Sequence, residues 1–181
     1  MKKYLLTLLM ITGFNGLLLA EGFTLTSKDL KGQLSMNEVF NGFGCTGKNI
    51  SPELSWSNVP EGTKSFALTV YDPDAPTGSG WWHWVVLNIP KDTTSLQAGA
   101  GDKSNAHLPN GSVQNINDYG FAGFGGACPP KGDNAHQYIF TIHALDVESL
   151  PLDGKQSAAI AGYNINVHTI QKASLIVYYG H

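Results

Sequence analysis

"YDPDAPTGSGWWHWVV", residues 71–86, closes one strand-like run and opens another. Upstream, "KSFALTVYD" alternates so that Phe66, Leu68, Val70 and Asp72 share one face of a strand by the period of two. Downstream, "HWVVLNI" is expected to place His83, Val85, Leu87 and Ile89 on one face in the same way. Between them Pro73 and Pro76 stop the first strand and stiffen the connection, and Thr77–Gly80 supply a glycine turn. Two acids and a histidine therefore stand at strand ends, hemmed in by Trp81, Trp82 and Trp84.

The rest of the chain follows the same grammar. "GFTLTS" reads as a starting strand, "HQYIFTIHAL" as a third long one with His136, Tyr138, Phe140 and Ile142 together, and "ASLIVYY" as the last. "GKQSAAIAGYNINVHTI", residues 154–170, has helical periodicity. Residues 91–125 are rich in glycine and asparagine and read as long loops with short strands, where function often sits. Mostly strands with few helices predicts a mainly β, antiparallel, two-sheet sandwich-like fold with a few peripheral helices. The length of 181 residues, with 21 glycines and 9 prolines, favours one strand-rich domain rather than a helical bundle.

The first twenty residues, "MKKYLLTLLMITGFNGLLLA", differ in kind. Two lysines, an apolar run and a small residue are the layout of a secretory signal peptide, with cleavage expected after Ala20 and one domain over residues 21–181. The alternative, an uncleaved anchor, is weakened by "TGFNG" interrupting the run, so no stable membrane span is expected after cleavage. Export to a periplasmic or secreted location follows. Loss of Lys2 and Lys3 from the eleven basic residues leaves nine lysines against fourteen acids, a net charge of −5. All eleven basic residues are lysines. An acidic chain without arginine forks is a poor nucleic-acid partner and has no pull toward anionic membranes. In an oxidising compartment Cys45 and Cys128 are expected to pair, against the alternative of two buried free thiols.

Asp72, His83 and His136 each end or begin an apolar strand face. A single histidine so placed is most simply a satisfied core residue; three such positions together suggest a pocket mouth at the rim of a sheet. Three functions compete. A binder of a small phosphorylated or anionic ligand uses the imidazoles and the Tyr138 hydroxyl as donors, with no catalytic residue, cofactor or metal. A hydrolase would use a histidine as base, but no GxSxG element is present, and Ser79 lies in a turn. A metalloprotein could take Asp72, His83 and His136 as two histidines and a carboxylate. Asp74 is expected to cap its own turn, and backbone N–H groups in 125–128 to supply further donors.

"DPDAP", "GWWHWVV" and "GGACPPKGDNAHQY", in this order, closely resemble the phosphatidylethanolamine-binding protein family, and with "NISPELSW" look most like its bacterial, Raf kinase inhibitor-like branch. The resemblance runs from about Phe23 to the C-terminus. It implies a large antiparallel sheet packed on a smaller one, and a pocket for phosphate-bearing head groups. Carried over, the pocket residues are Asp72, Pro76, His83, Gly126, Pro129, His136 and Tyr138. It also implies an exported modulator of a protein partner, with kinase inhibition as the animal precedent. This chain departs from the animal members in having Cys128 within "GGACPP" and in ending at "LIVYYGH", where they continue into a helix; both departures bear on gating and kinase partnership. A homodimer is compatible with exposed strand edges.

Overall fold

The computed structural model describes residues 22–181; the signal-peptide reading falls on residues outside this range. The chain runs β1 (Thr24–Thr26), β2 (Asn41–Gly42), β3 (Cys45–Thr46), β4 (Leu54–Ser57), β5 (Ser65–Asp72), β6 (Trp81–Pro90), β7 (Ser95–Leu96) and β8 (Val113–Gln114). It finishes with β9 (His136–Leu145), α1 (Ala158–His168) and β10 (Thr169–Tyr179). A five-stranded antiparallel sheet has the order β10-β9-β5-β6-β8, and a three-stranded sheet has the order β1-β4-β7. This is the expected two-sheet, mainly β architecture, with one helix among the described residues rather than several.

The large sheet has apolar side chains on both faces because each face is covered. On the front, Phe66, Leu68, Val70, Tyr138, Phe140 and Ile142 pack in one cluster with Leu25, Leu54 and Trp56 of the small sheet. On the back, Ala67, Val85, Leu87 and Leu145 pack with Ala158, Ala161 and Ile165 of α1. Each fully buried large aliphatic or aromatic side chain contributes about 1.5–3 kcal/mol. The central strand β5 is consequently buried along nearly its whole length.

Strand β6 departs from simple alternation. Val70 pairs with Trp84 and Tyr71 with Trp82, so His83 is the extra residue of a β-bulge. A second irregularity falls between Phe66 and Leu68, near Asn88, whose φ is 58°. Trp84, Val86 and Ile89 join the front cluster, while Val85 and Leu87 join the back one. The expected common face of His83, Val85, Leu87 and Ile89 is therefore corrected: the two bulges switch faces, and the first turns His83 to the front with Asp72. By contrast the alternation of β9 holds, with Tyr138, Phe140 and Ile142 together in front.

The helix also ends earlier than residue 170. The Ser157 side chain caps its start, accepting from the Ile160 N–H at 3.3 Å. Its end needs no turn: Thr169 already has extended dihedrals, φ −75° and ψ 117°, and is the first residue of β10. Asp146 N–H donates to His168 O at 3.0 Å, fastening this junction to the end of β9.

Candidate functional site

The hairpin of β5 and β6 delivers the site. Asp72 ends β5 opposite Trp81, and the turn between them is closed by Gly80, where a Cβ would lie 2.2 Å from the Tyr71 hydroxyl. Tyr71 uses that hydroxyl to donate to Ser79 O at 2.8 Å, which fastens the turn to β5. Asp72 is 3% exposed and its two oxygens are occupied. Oδ1 accepts from the N–H groups of Asp74, at 2.8 Å, and Ala75, at 3.1 Å. Oδ2 accepts from His136 Nδ1–H at 2.8 Å. The turn is thus capped by Asp72 and not, as expected, by Asp74, whose carboxylate instead accepts from the Gln137 N–H at 2.8 Å. The carboxylate also orients the His136 ring.

His83 is held by another element. Its Nδ1–H donates to Gly125 O at 2.7 Å, and the Gly125 N–H returns a bond to His83 O at 2.9 Å. That fixes the tautomer: the neutral ring presents the lone pair of Nε2, which has no partner among the described residues. Burial lowers the His83 pKa below its ordinary value, opposed by the Gly125 bond and by the charge of Asp72. Two further polar atoms on the same wall, Tyr138 Oη and Trp81 Nε1, are likewise buried without a partner. Burial, and then Asp72, raise the Tyr138 pKa, so the phenol stays protonated and available as a donor.

These groups surround a cavity of about 170 Å³ whose surface is mainly apolar. Of the seven residues expected here, Asp72, Pro76, His83, Pro129, His136 and Tyr138 line it. Gly126 does not. Its role is packing: a Cβ there would lie 2.0 Å from Glu38 O, so only glycine lets the 125–128 segment run against the 38–40 backbone. Three of the four expected donors of this segment, at Gly125, Gly126 and Ala127, are used within the fold. Gly126 N–H donates to Asn49 Oδ1 at 2.7 Å and Ala127 N–H to Glu38 O at 3.3 Å.

Sequence reasoning missed Tyr119 and Phe43. The Tyr119 hydroxyl donates to Gly126 O at 2.8 Å, and its ring lies 5.6 Å from His83. Phe43 sits in the turn between β2 and β3 with φ 54° and is 74% exposed, its ring 5.6 Å from Tyr119. Neither lies in a periodic segment; the one available signal was the density of aromatics in "NDYGFAGFGG" and "VFNGFG". Cys45 of β3 and Cys128 form a disulfide that pins the Phe43 turn to the rim of the cavity beside Pro129 and Pro130.

Both Asp72 carboxylate oxygens accept N–H bonds, and the Nδ1 atoms of His83 and His136 carry protons donated to protein acceptors, which leaves the lone pair on Nε2 of each ring. Among the described residues, the side chains whose ligand atoms converge closely enough for a metal are Cys45, Cys128 and His181, not Asp72, His83 and His136, and both of those sulfurs are joined in the disulfide. The aliphatic hydroxyl on the wall, that of Thr77, donates to Gly80 O at 2.5 Å.

A mainly β domain of two packed sheets with a histidine-lined cavity at the ends of β5, β6 and β9 defines a class of protein, and the comparisons give the class its name. Residues 27–180 match the family model described as phosphatidylethanolamine-binding protein, and the chain belongs to that family. It is 55% identical over 162 residues to the UPF0098 protein YbcL of Escherichia coli K12, covering 88% of each chain. The crystal structure of E. coli YbcL, described as a new member of the mammalian PEBP family, superposes with a TM-score of 0.87 at 53% identity; the match covers 89% of this chain and 99% of that one. The PEBP homologue CT736 of Chlamydia trachomatis superposes with a TM-score of 0.72 at 30% identity, over 88% of this chain and 98% of that one.

Proposed function

We propose that this protein binds small phosphate-bearing or similar anionic ligands in the cavity between Asp72, His83 and Tyr138, without turning them over, and that it works outside the cytosol. The observation that carries the reading is the set of three buried polar atoms, His83 Nε2, Tyr138 Oη and Trp81 Nε1, left without protein partners on one mostly apolar wall. Buried polar groups are ordinarily satisfied, and a few convergent polar atoms in an apolar concavity are the usual make-up of a ligand site. The Cys45–Cys128 disulfide supports the extracytosolic setting. Binding without turnover rests on the chemistry of the wall, which offers no activated hydroxyl.

The tautomer of His83 sets how an anion is held. Tyr138 and Trp81 donate to phosphate oxygens. His83 Nε2 must share one proton with a third oxygen, carried either on the ring or on the phosphate. A phosphate dianion entering the neutral site therefore brings one proton from solvent with it. Affinity is highest at low pH and falls as pH rises through the pKa of the bound pair. The test is calorimetric titration of phosphoethanolamine into wild type and His83→Ala at pH 6 and pH 8. Loss of the shared-proton bond should cost roughly 1.5–3 kcal/mol, and wild-type affinity should drop between the two pH values. Equal affinity of both proteins, with the fold intact by circular dichroism, removes His83 from the site. Release of inorganic phosphate during the titration would replace binding by hydrolysis.

A further inference from the structure

On the opposite face of the same sheet, between β5, β9, β10 and α1, lies a second cavity of about 180 Å³. A gap beneath a helix is normally filled by apolar side chains. Here the floor is polar: Thr69, Thr141 and His143 are buried, at 6%, 7% and 6% exposure. Their hydrogen bonds are made within the protein, in one run through His143 and one separate pair at Thr141. Thr169 Oγ1 donates to Ile165 O at 2.7 Å and so accepts from His143 Nδ1–H at 3.3 Å. His143 Nε2 then accepts from the Thr69 hydroxyl at 3.3 Å. Thr141 and Ser174 share a bond of 2.9 Å.

The walls have a different character. Tyr71 and Trp82 stand side by side with ring centroids 4.7 Å apart and make a flat aromatic wall. Gly162 of α1 faces that wall, and a Cβ there would already lie 3.4 Å from the Trp82 ring, so the missing side chain keeps the space open. A glycine inside a helix costs about 1 kcal/mol relative to alanine. At the mouth stand Asn166 and Lys172, both exposed. Among the described residues Lys172 has no carboxylate partner, and no acidic side chain lines the cavity.

We infer that this back cavity is a second ligand site, for a small organic carboxylate with a flat apolar body. Lys172 and the Asn166 amide supply donors for the carboxylate at the mouth, and Tyr71 and Trp82 supply the surface on which the flat body lies. The hydroxyls and imidazole beneath are already paired, so the floor shapes the cavity and asks for no further proton from the ligand. The front cavity lies on the other face of the same hairpin, where Asp72 and Trp81 are the next pair along the strands. The two ligands therefore do not compete for space.

The probe is benzoate, titrated into the folded chain while amide and indole N–H signals are followed by two-dimensional nuclear magnetic resonance. Saturable shifts are expected at the Trp82 indole and at Asn166. Lys172→Gln, a change at an exposed position, should weaken binding about tenfold, as for loss of one hydrogen bond from a charged donor. Gly162→Ala, which narrows the space over Trp82, should also weaken it, while the phosphoethanolamine affinity of both variants stays at the wild-type value. Absence of saturable shifts at Trp82 and Asn166 overturns the inference. So does binding that survives Lys172→Gln unchanged and is abolished by His83→Ala, since benzoate would then occupy the front cavity alone.

Discussion

His83 and His143 are buried to nearly the same degree on opposite faces of one sheet, and they are wired differently. His143 has both ring nitrogens bonded to threonine hydroxyls. His83 has one nitrogen bonded to Gly125 O and the other without a partner. His143 is satisfied within the protein, whereas His83 keeps one ring nitrogen without a partner among the described residues. Burial alone does not separate the two; hydrogen bonding does.

The sharpest way to test this contrast is to attack what fastens each face. The front rim is cross-linked by Cys45–Cys128, 83 residues apart, and the back is covered by α1 without a cross-link. Chain entropy assigns a loop of this length roughly 4–5 kcal/mol, as an upper bound. Reduction should lower stability by up to that amount and speed hydrogen exchange at 41–46 and at the Ala127 and Cys128 amides while leaving α1 protected. Thiol titration of the denatured, unreduced protein checks the premise, and two free thiols per chain would end it.

The next effect belongs to the back. Burial, and then the charge of Lys172, push the His143 pKa down to about 4. Unfolded, the ring titrates near 6.5. Above that value both states are neutral and nothing is lost. As pH falls from about 6.5 to about 4 the unfolded chain takes a proton that the folded one refuses, and roughly 3 kcal/mol of stability drains away. His143→Gln, whose amide can serve both threonines, should flatten that part of the stability profile. Urea midpoints of both proteins at pH 7 and pH 4.5 measure it, and an identical drop in the two would clear His143 of the effect.

The smallest effect is at Asp72. Asp72→Asn keeps an oxygen for the Asp74 and Ala75 N–H groups but sets an amide N–H against His136 Nδ1–H. The ring must change tautomer, at a cost of about 1–2 kcal/mol. Nitrogen chemical shifts of the imidazole report the tautomer directly. An unaltered His136 spectrum with unaltered stability would mean that the carboxylate does not organise the ring.

Legibility in the sequence followed regularity. Strand β9 was readable because its alternation is unbroken, and the apolar face of β5 because it is central to the sheet. Strand β6 was misread at both ends, since nothing in "WWHWVVLNI" marks which residue a bulge will expel. The junction of α1 and β10 was misplaced because Thr169 passes from helix to strand without the glycine or proline that usually announces a boundary. Around the front cavity, the residues that the sequence places on strand ends and in proline-rich stretches do fall on its wall. Tyr119 and Phe43 were missed because long-range contacts hold them, through Gly126 and the disulfide. Gly126 was noticed for its motif and assigned to the ligand, when the close approach of two backbones is what demands it.

The strand order has a consequence for how the protein comes to exist. Phe66 pairs on one side with Ile89 and on the other with Ala144. The β5–β6 hairpin is a short-range event, whereas docking β9 closes a long stretch of chain, and topologies dominated by such pairings fold in milliseconds to seconds. The bond from His136 to Asp72, and the placing of Tyr138 on the cavity wall, wait for that slow step. A nascent or truncated chain holding the "DPDAP" hairpin alone would carry the motif and one wall, without the His136, Tyr138, Tyr119 and Pro129 that close the pocket.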